Sequence, residues 1–63
     1  MPRKFAAGES VKFRPAVRPI DQARGPYTVT MLLPEIDGEF AYRIRNPHES
    51  HERIAKESEL REA

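Results

Sequence analysis

The sequence contains no cysteine and no tryptophan, and its apolar residues never form a long run. The lack of cysteine excludes a disulfide framework, a thiolate zinc site and a cysteine nucleophile. No segment approaches the roughly 18 consecutive apolar residues of a membrane-spanning helix, and residues 1–10 have no apolar core of a secretory signal. We therefore expect a cytoplasmic protein without membrane contact, held together by packing.

The length of 63 residues leaves room for one domain, spanning residues 1–63, of which we expect residues 1–4 to be flexible. A fold of this size buries only about 60% of the surface that its unfolded chain exposes. Stability should therefore be modest. We expect a monomer or a weak homo-oligomer, with packing supplemented by a partner.

The charge of the chain is uneven although its net value is only +1. Residues 1–33 carry a net charge of +4 and residues 34–63 a net charge of −3. A small barrel interleaves the two halves of its chain, so a mixed surface is the expected outcome. The balance alone does not indicate a nucleic-acid partner.

The first half of the chain predicts one strand followed by a long loop. Residues 10–14, S-V-K-F-R, alternate apolar and polar side chains, with Val11 and Phe13 facing inward. A turn at Gly8-Glu9 should return Phe5 to the core. Residues 15–26 contain three prolines, which disfavours regular pairing, so Val17 and Ile20 either pack the loop down or serve a function.

A central hairpin is the clearest structural signal in the sequence. Residues 27–33 are rich in β-branched and aromatic residues, Pro34 should end the strand, and Asp37-Gly38 predicts a two-residue turn. Alternation assigns an inward face and an outward face to each strand. The predicted inward residues are Tyr27, Val29, Met31, Leu33, Phe40, Tyr42 and Ile44; the outward ones are Thr28, Thr30, Leu32, Ala41, Arg43 and Arg45.

The C-terminal third has two interpretations. Asn46-Pro47 indicates a turn, after which residues 52–56 form a fourth strand with Ile54 inward. The tail then forms a helical turn or a last short strand anchored by Leu60. The alternative is one helix over residues 49–63, which are rich in helix formers. We prefer the strand and keep the helix open.

The order F-x-x-G-E-x-V-x-F, long loop, G-P-Y-T-V-T-M-L-L-P, Asp-Gly turn, A-Y-R-I-R and final E-S-E-L resembles the SH3-like barrel class, which includes KOW and Tudor modules. Residues 23–60 also resemble short bacterial proteins of that kind. The resemblance implies an all-β fold: a small SH3-like antiparallel barrel of four to five short strands, with a long proline-containing loop after the first strand.

The functions found in this class receive little support from individual residues. An SH3 peptide groove needs tryptophan, which is absent, and a Tudor cage needs exposed aromatics. The aromatic residues here mostly occupy predicted inward positions: Phe5, Phe13, Tyr27, Phe40 and Tyr42. A KOW-like role in binding RNA or a polymerase rests only on Gly8 and the strand around Val11.

Catalysis and metal binding are not expected. The carboxylates Glu49, Glu52, Glu57 and Glu59 lie in a polar tail, whereas acid–base catalysis requires a desolvated cleft. His48 and His51, weak candidates for a metal site, are spaced three apart after Pro47, unlike the four-residue spacing of H-E-x-x-H. We therefore predict a solvated turn there, no cofactor and no enzymatic activity.

Binding is the remaining class of function, with two hypotheses. A protein partner would contact the loop over residues 15–26 and an edge strand. The alternative is RNA or DNA binding on a basic face, with Thr28 and Thr30 beside the arginines. The candidate residues for partner or nucleic-acid binding are Arg14, Arg18, Arg24, Arg43 and Arg45.

Overall fold

The computed structural model of the chain describes residues 2–17 and 25–63. Five antiparallel strands form one sheet in the order β4-β3-β2-β1-β5, which confirms the all-β prediction. β4 and β5 lie at opposite edges, so the described strands do not close into a barrel. The elements are β1 (Ser10–Phe13), β2 (Tyr27–Ile36), β3 (Glu39–Arg45), β4 (Arg53–Lys56), a 3-10 helix (Glu57–Glu59) and β5 (Leu60–Glu62).

The predicted central hairpin is present, and its turn is the one expected from the Asp-Gly pair. Asp37 and Gly38 have φ values of 52° and 78°, the left-handed conformations that a two-residue hairpin turn requires. The strand does not end at Pro34 as predicted, because β2 continues to Ile36. A register shift between Leu33 and Ile36 interrupts the ladder there, and a proline without an N–H is tolerated at such an interruption.

A second register shift in β2 changes which face its middle residues occupy. Tyr27 and Val29 are buried as predicted, but Met31 is 48% exposed. The shift lies between Val29 and Met31 and pairs Met31 with Arg43, an outward residue of β3. One extra residue reverses the alternation of the residues that follow, here up to the other shift after Leu33. The prediction that Met31 and Leu33 face inward with Tyr27 is therefore wrong.

The core lies on one face of the sheet, which we call the inner face. Phe5 packs edge-on against Tyr42 at 5.6 Å between ring centroids, and Phe13 against Tyr27 at 5.3 Å. Leu60 is buried, which confirms it as the anchor of the tail. The buried cluster consists of Phe5, Val11, Tyr27, Val29, Tyr42, Ile44, Ala55 and Leu60, with Phe13 and Phe40 partly buried against it.

In β4 the residue that faces the core is Ala55, not Ile54 as predicted. Ile54 is 57% exposed and Ala55 is fully buried. The register pairs Ala55 with the core residue Tyr42 and pairs Ile54 with the outward Arg43. Ala41 lies on the outer side as predicted but is buried between its cross-strand neighbours Leu33 and Lys56.

The chain after residue 52 folds as strand, helical turn and strand, so the alternative of one helix over residues 49–63 is wrong. Glu59 organises this region: its carboxylate accepts hydrogen bonds from the Lys56 amide at 2.9 Å and the Ala16 amide at 2.8 Å. The loop predicted over residues 15–26 therefore starts from a fixed point. Val17 is 86% exposed and does not pack down, while Ile20 lies outside the described residues.

Candidate interaction surface

Three outward side chains form a row across β2, β3 and β4, which we call the outer row: Met31, Arg43 and Ile54. The register places Met31 opposite Arg43 on one side and Ile54 opposite Arg43 on the other. Met31 is 48% exposed, Ile54 is 57% exposed, and the side chain of Arg43 is 43% exposed. Two large apolar side chains thus flank one cation on the solvent side of the sheet.

The guanidinium of Arg43 has a loosely held intramolecular partner. Its Nε lies 3.7 Å from Oε1 of Glu52, and both side chains are about two-fifths exposed. The same Glu52 oxygen accepts a hydrogen bond from the Thr30 hydroxyl at 2.9 Å. An exposed ion pair of this kind contributes at most about 1 kcal/mol, so Arg43 can exchange Glu52 for another anion at little cost.

A second set of cations lies towards β1 and β5. Arg45 is exposed and stands opposite Thr28, as strand alternation predicts, and Thr28 in turn stands opposite Ser10. The next outward position of β1 is Lys12, which pairs with Arg61 of β5. We call Lys12, Arg45 and Arg61 the basic flank of the outer surface.

Two of these cations were missed by reasoning from the sequence. The outward position of Lys12 follows from the alternation of residues 10–14, but Lys12 is not among the binding residues predicted from the sequence. Arg61 had no sequence signal, because its place beside Lys12 depends on the pairing of β5 with β1. Arg14 is exposed at the end of β1, and Arg18 and Arg24 lie outside the described residues.

The two histidines lie in the exposed turn between β3 and β4. Buried Asn46 shapes this turn, because its side-chain oxygen accepts the His48 amide at 2.8 Å and its carbonyl accepts the Glu49 amide at 3.0 Å. Nε2 of His51 lies 3.3 Å from the Ser50 hydroxyl. In residues 2–17 and 25–63, no group of three or more potential His, Asp or Glu ligands is gathered for a metal ion.

Glu49 is engaged by a forked contact with Arg53. Arg53 Nε lies 2.8 Å from Oε1 and Nη2 lies 2.7 Å from Oε2, and the Glu49 side chain is only 10% exposed. These hydrogen bonds raise the pKa of Arg53. The buried hydroxyl of Tyr27 sits near the pair, where burial, followed by the Glu49 carboxylate, raises the pKa of Tyr27. This contact joins the turn to the start of β4.

Glu57 is likewise used inside the fold. Oε2 of Glu57 accepts the Tyr42 hydroxyl at 2.5 Å and the Lys4 amide at 3.0 Å. Burial acts to raise the pKa of Glu57, but these hydrogen bonds outweigh it and the pKa is lowered. Burial, followed by the bond to Glu57, raises the pKa of Tyr42. The four carboxylates that the sequence offers as acid–base groups each accept a hydrogen bond within the fold: Glu49, Glu52, Glu57 and Glu59.

Comparison with known proteins gives no match, whether with family models, curated proteins or solved structures. Within the described part of the chain, no helix has the length and apolar content needed to cross a membrane. Function must therefore be argued from the surface of this molecule alone.

Proposed function

We propose that the chain is a non-enzymatic binding module whose outer row contacts another protein. The observation that carries the proposal is the exposure of Met31 and Ile54 on either side of Arg43. Large apolar side chains grouped on one face of a small domain are typical of interaction sites. A methionine also adapts its shape to a partner, because its unbranched side chain has three rotatable bonds.

We assign the sheet to the SH3-like class as part of this proposal, while the described strands themselves form an open sheet. Five antiparallel strands with a long connection between β1 and β2 and a two-residue hairpin between β2 and β3 support this assignment. The two register shifts of β2 favour the bent sheet that such a barrel requires, since such irregularities bend the strand and increase its local twist.

The outer face is a better contact surface than the edge strands. β4 has four residues and β5 has three, which are short for pairing with another chain. The Lys56 amide at the β4 edge already donates to Glu59, and the Leu60 amide at the start of β5 donates to the Glu57 carbonyl. Val17, at the start of the long loop for which the sequence predicts partner contact, is exposed as well.

Site-specific photo-crosslinking tests this proposal. A photoreactive amino acid is placed at Ile54, at Met31 or, as the matched control, at exposed Ala63, and each protein is irradiated in extract of the source cell. We expect one protein adduct from positions 54 and 31 that is absent from position 63. Adducts of equal yield from all three positions, or none from the outer row, would overturn the proposal.

Nucleic-acid binding on the basic flank is the second candidate. It is favoured by the cross-strand placement of Lys12 beside Arg61 and of Thr28 beside Arg45. Phosphate contacts by such cations weaken steeply as salt rises. Against it, the aromatic residues of the described chain are buried or packed against the core, so they do not offer bases a stacking surface.

A titration of the labelled protein with a mixed oligonucleotide pool tests the second candidate. Shifts of the Lys12, Arg45 and Arg61 amides at low salt that vanish at moderate salt would support it. The variant Arg45→Gln should then weaken binding about equally for all sequences. No shifts at low salt would eliminate it.

A further inference from the structure

We infer that the outer row takes an acidic segment of a partner protein, one that carries apolar side chains on both sides of a carboxylate. The inference rests on the proposed function and names the chemistry of the partner. It follows from three features of the described residues: the spacing of the row, the distribution of charge over the fold, and the weak intramolecular pairing of Arg43.

The spacing of the row sets the pattern of the ligand. Neighbouring strands lie about 4.8 Å apart, so the backbones at Met31 and Ile54 are separated by roughly 10 Å with Arg43 between them. In an extended peptide, residues four apart are about 13 Å apart and the residue midway points to the same side. The flexible side chains of the row cover the difference. The pattern apolar-x-Glu-x-apolar therefore fits.

The charge distribution selects the sign of the ligand. The chain is nearly neutral, yet four of the eight carboxylates in residues 34–63 accept hydrogen bonds from residues outside the outer row and the basic flank, whereas Arg43, Arg45 and Lys12 face outward. These carboxylates are Glu39 on Ser58, Glu49 on Arg53, Glu57 on Tyr42, and Glu59 on the Lys56 amide. Folding thus leaves an outer surface more basic than the sequence as a whole.

The same distribution disfavours a second copy of this chain as the partner. A two-fold contact is self-complementary, so pairing two outer rows would bring Arg43 and Arg45 of one copy near the same arginines of the other. Repulsion between like charges, with the arginines partly desolvated, opposes that contact. An acidic segment places carboxylates there instead.

Glu52, the intramolecular partner of Arg43, is easily replaced by a carboxylate of the ligand. Glu52 lies 3.7 Å from Arg43 Nε and keeps its shorter hydrogen bond to Thr30, at 2.9 Å, when Arg43 turns to another anion. A carboxylate of the partner is free to approach the planar guanidinium with two hydrogen bonds, which a single contact at 3.7 Å does not provide. Glu52 also competes with other anions for Arg43, so a weakly binding anion does not displace it.

The test uses two synthetic peptides as probes. One contains two copies of Leu-Ser-Glu-Ser-Leu separated by glycine, and the control carries lysine in place of each glutamate. We expect the glutamate peptide to shift the Met31 methyl, the Ile54 methyls and the Arg43 Nε–H signals, and the lysine peptide to leave them unchanged. Arg43→Gln should weaken binding about 5-fold. Lys4→Gln, with the same loss of charge outside the outer row and the basic flank, should leave it unchanged.

Several outcomes would overturn the inference. These are no shifts with the glutamate peptide at millimolar concentration, equal shifts with the lysine peptide, and an equal effect of the Lys4 and Arg43 variants. If photo-crosslinking from position 54 identifies a partner and the glutamate peptide does not bind, the proposed function stands and the acidic ligand is refuted. An oligonucleotide that shifts Met31 and Ile54 while the peptide does not would assign the surface to nucleic acid and refute the inference.

Discussion

The hydroxyl of Tyr42 donates a hydrogen bond to Oε2 of Glu57 across 2.5 Å, joining the centre of β3 to the 3-10 helix. The same oxygen accepts the amide of Lys4, so one carboxylate holds the N-terminal segment, the third strand and the C-terminal region together. These three parts are far apart in sequence. A small domain has a low free energy of unfolding, so one such junction matters to the fold that presents the outer row.

We expect Tyr42→Phe to lower the free energy of unfolding by about 1–2 kcal/mol, because the charged acceptor Glu57 loses its hydroxyl donor. Urea denaturation followed by circular dichroism measures the change. Tyr27→Phe is the matched control, since the buried Tyr27 hydroxyl makes no hydrogen bond of normal geometry with the described residues. The control should cost clearly less than Tyr42→Phe. Equal losses would mean that the Glu57 contact contributes nothing.

We expect stability to fall in acid because of Glu57 and Glu39. Hydrogen bonds from the Ser58 hydroxyl and amide lower the pKa of Glu39, and those from Tyr42 and Lys4 lower the pKa of Glu57 against the effect of burial. A pKa lowered by folding stabilises the native state above the ordinary glutamate value of 4.5, and this stabilisation is lost as pH falls through the folded-state pKa.

Urea denaturation between pH 3 and 7 measures this dependence. The free energy of unfolding should be nearly constant above about pH 5.5 and decrease below it. Glu57→Gln should make the decrease in the free energy of unfolding at low pH less steep. Glu35→Gln, at an exposed position of β2, should leave the steepness of that decrease unchanged. A wild-type curve with no decrease between pH 5 and 3 would contradict the expectation.

We expect Arg3→Ala to destabilise the fold by about 1–2 kcal/mol. The Arg3 guanidinium lies 4.6 Å from the ring centre of Phe40 and donates hydrogen bonds to the carbonyls of Ala41 and Leu33. These carbonyls flank the register shift of β2, so Arg3 stabilises an irregular part of the ladder. Arg3→Lys keeps the charge but not the planar fork and should recover only part of the loss. Full recovery in thermal unfolding would argue against the forked contact.

The two neighbouring apolar residues of β4 should respond in opposite ways to substitution. Ile54→Ser should change the free energy of unfolding by less than about 0.5 kcal/mol, because the side chain is 57% exposed. Ala55→Leu should cost about 1–3 kcal/mol, because it adds volume to a fully buried position. Chemical denaturation of both variants is the measurement. The reverse order would show that Ile54, not Ala55, faces the core.

We expect Gly38→Ala to cost about 1 kcal/mol, since Gly38 has a φ of 78° and a side chain is strained there. No atom lies within 4 Å of the added carbon, so the loss should come from backbone strain and not from a clash. Thermal unfolding checks the magnitude. Gly8→Ala, at a φ of 91° outside the hairpin, is the comparison, and no loss in either variant would contradict the turn geometry.

The features that depend on short stretches of the chain were predictable from the sequence. The Asp37-Gly38 turn, the strand around Val11, and the inward Tyr42 and Ile44 each follow from patterns within about ten residues. Only part of the candidate surface was predictable from the sequence. Arg43 and Arg45 were placed outward correctly, but their apolar neighbours Met31 and Ile54 were assigned to the core.

By itself the sequence determined the all-β class, the central hairpin and the outward direction of its arginines, because strand alternation and turn preference act over a few residues. Tertiary structure decided the rest. One register shift in β2 turned Met31 to solvent, and the pairing of Tyr42 with Ala55 turned Ile54 beside Arg43. Register is specified where one face of a strand is buried, so it depends on how the whole core packs and not on strand alternation alone. The outer row is a product of that packing.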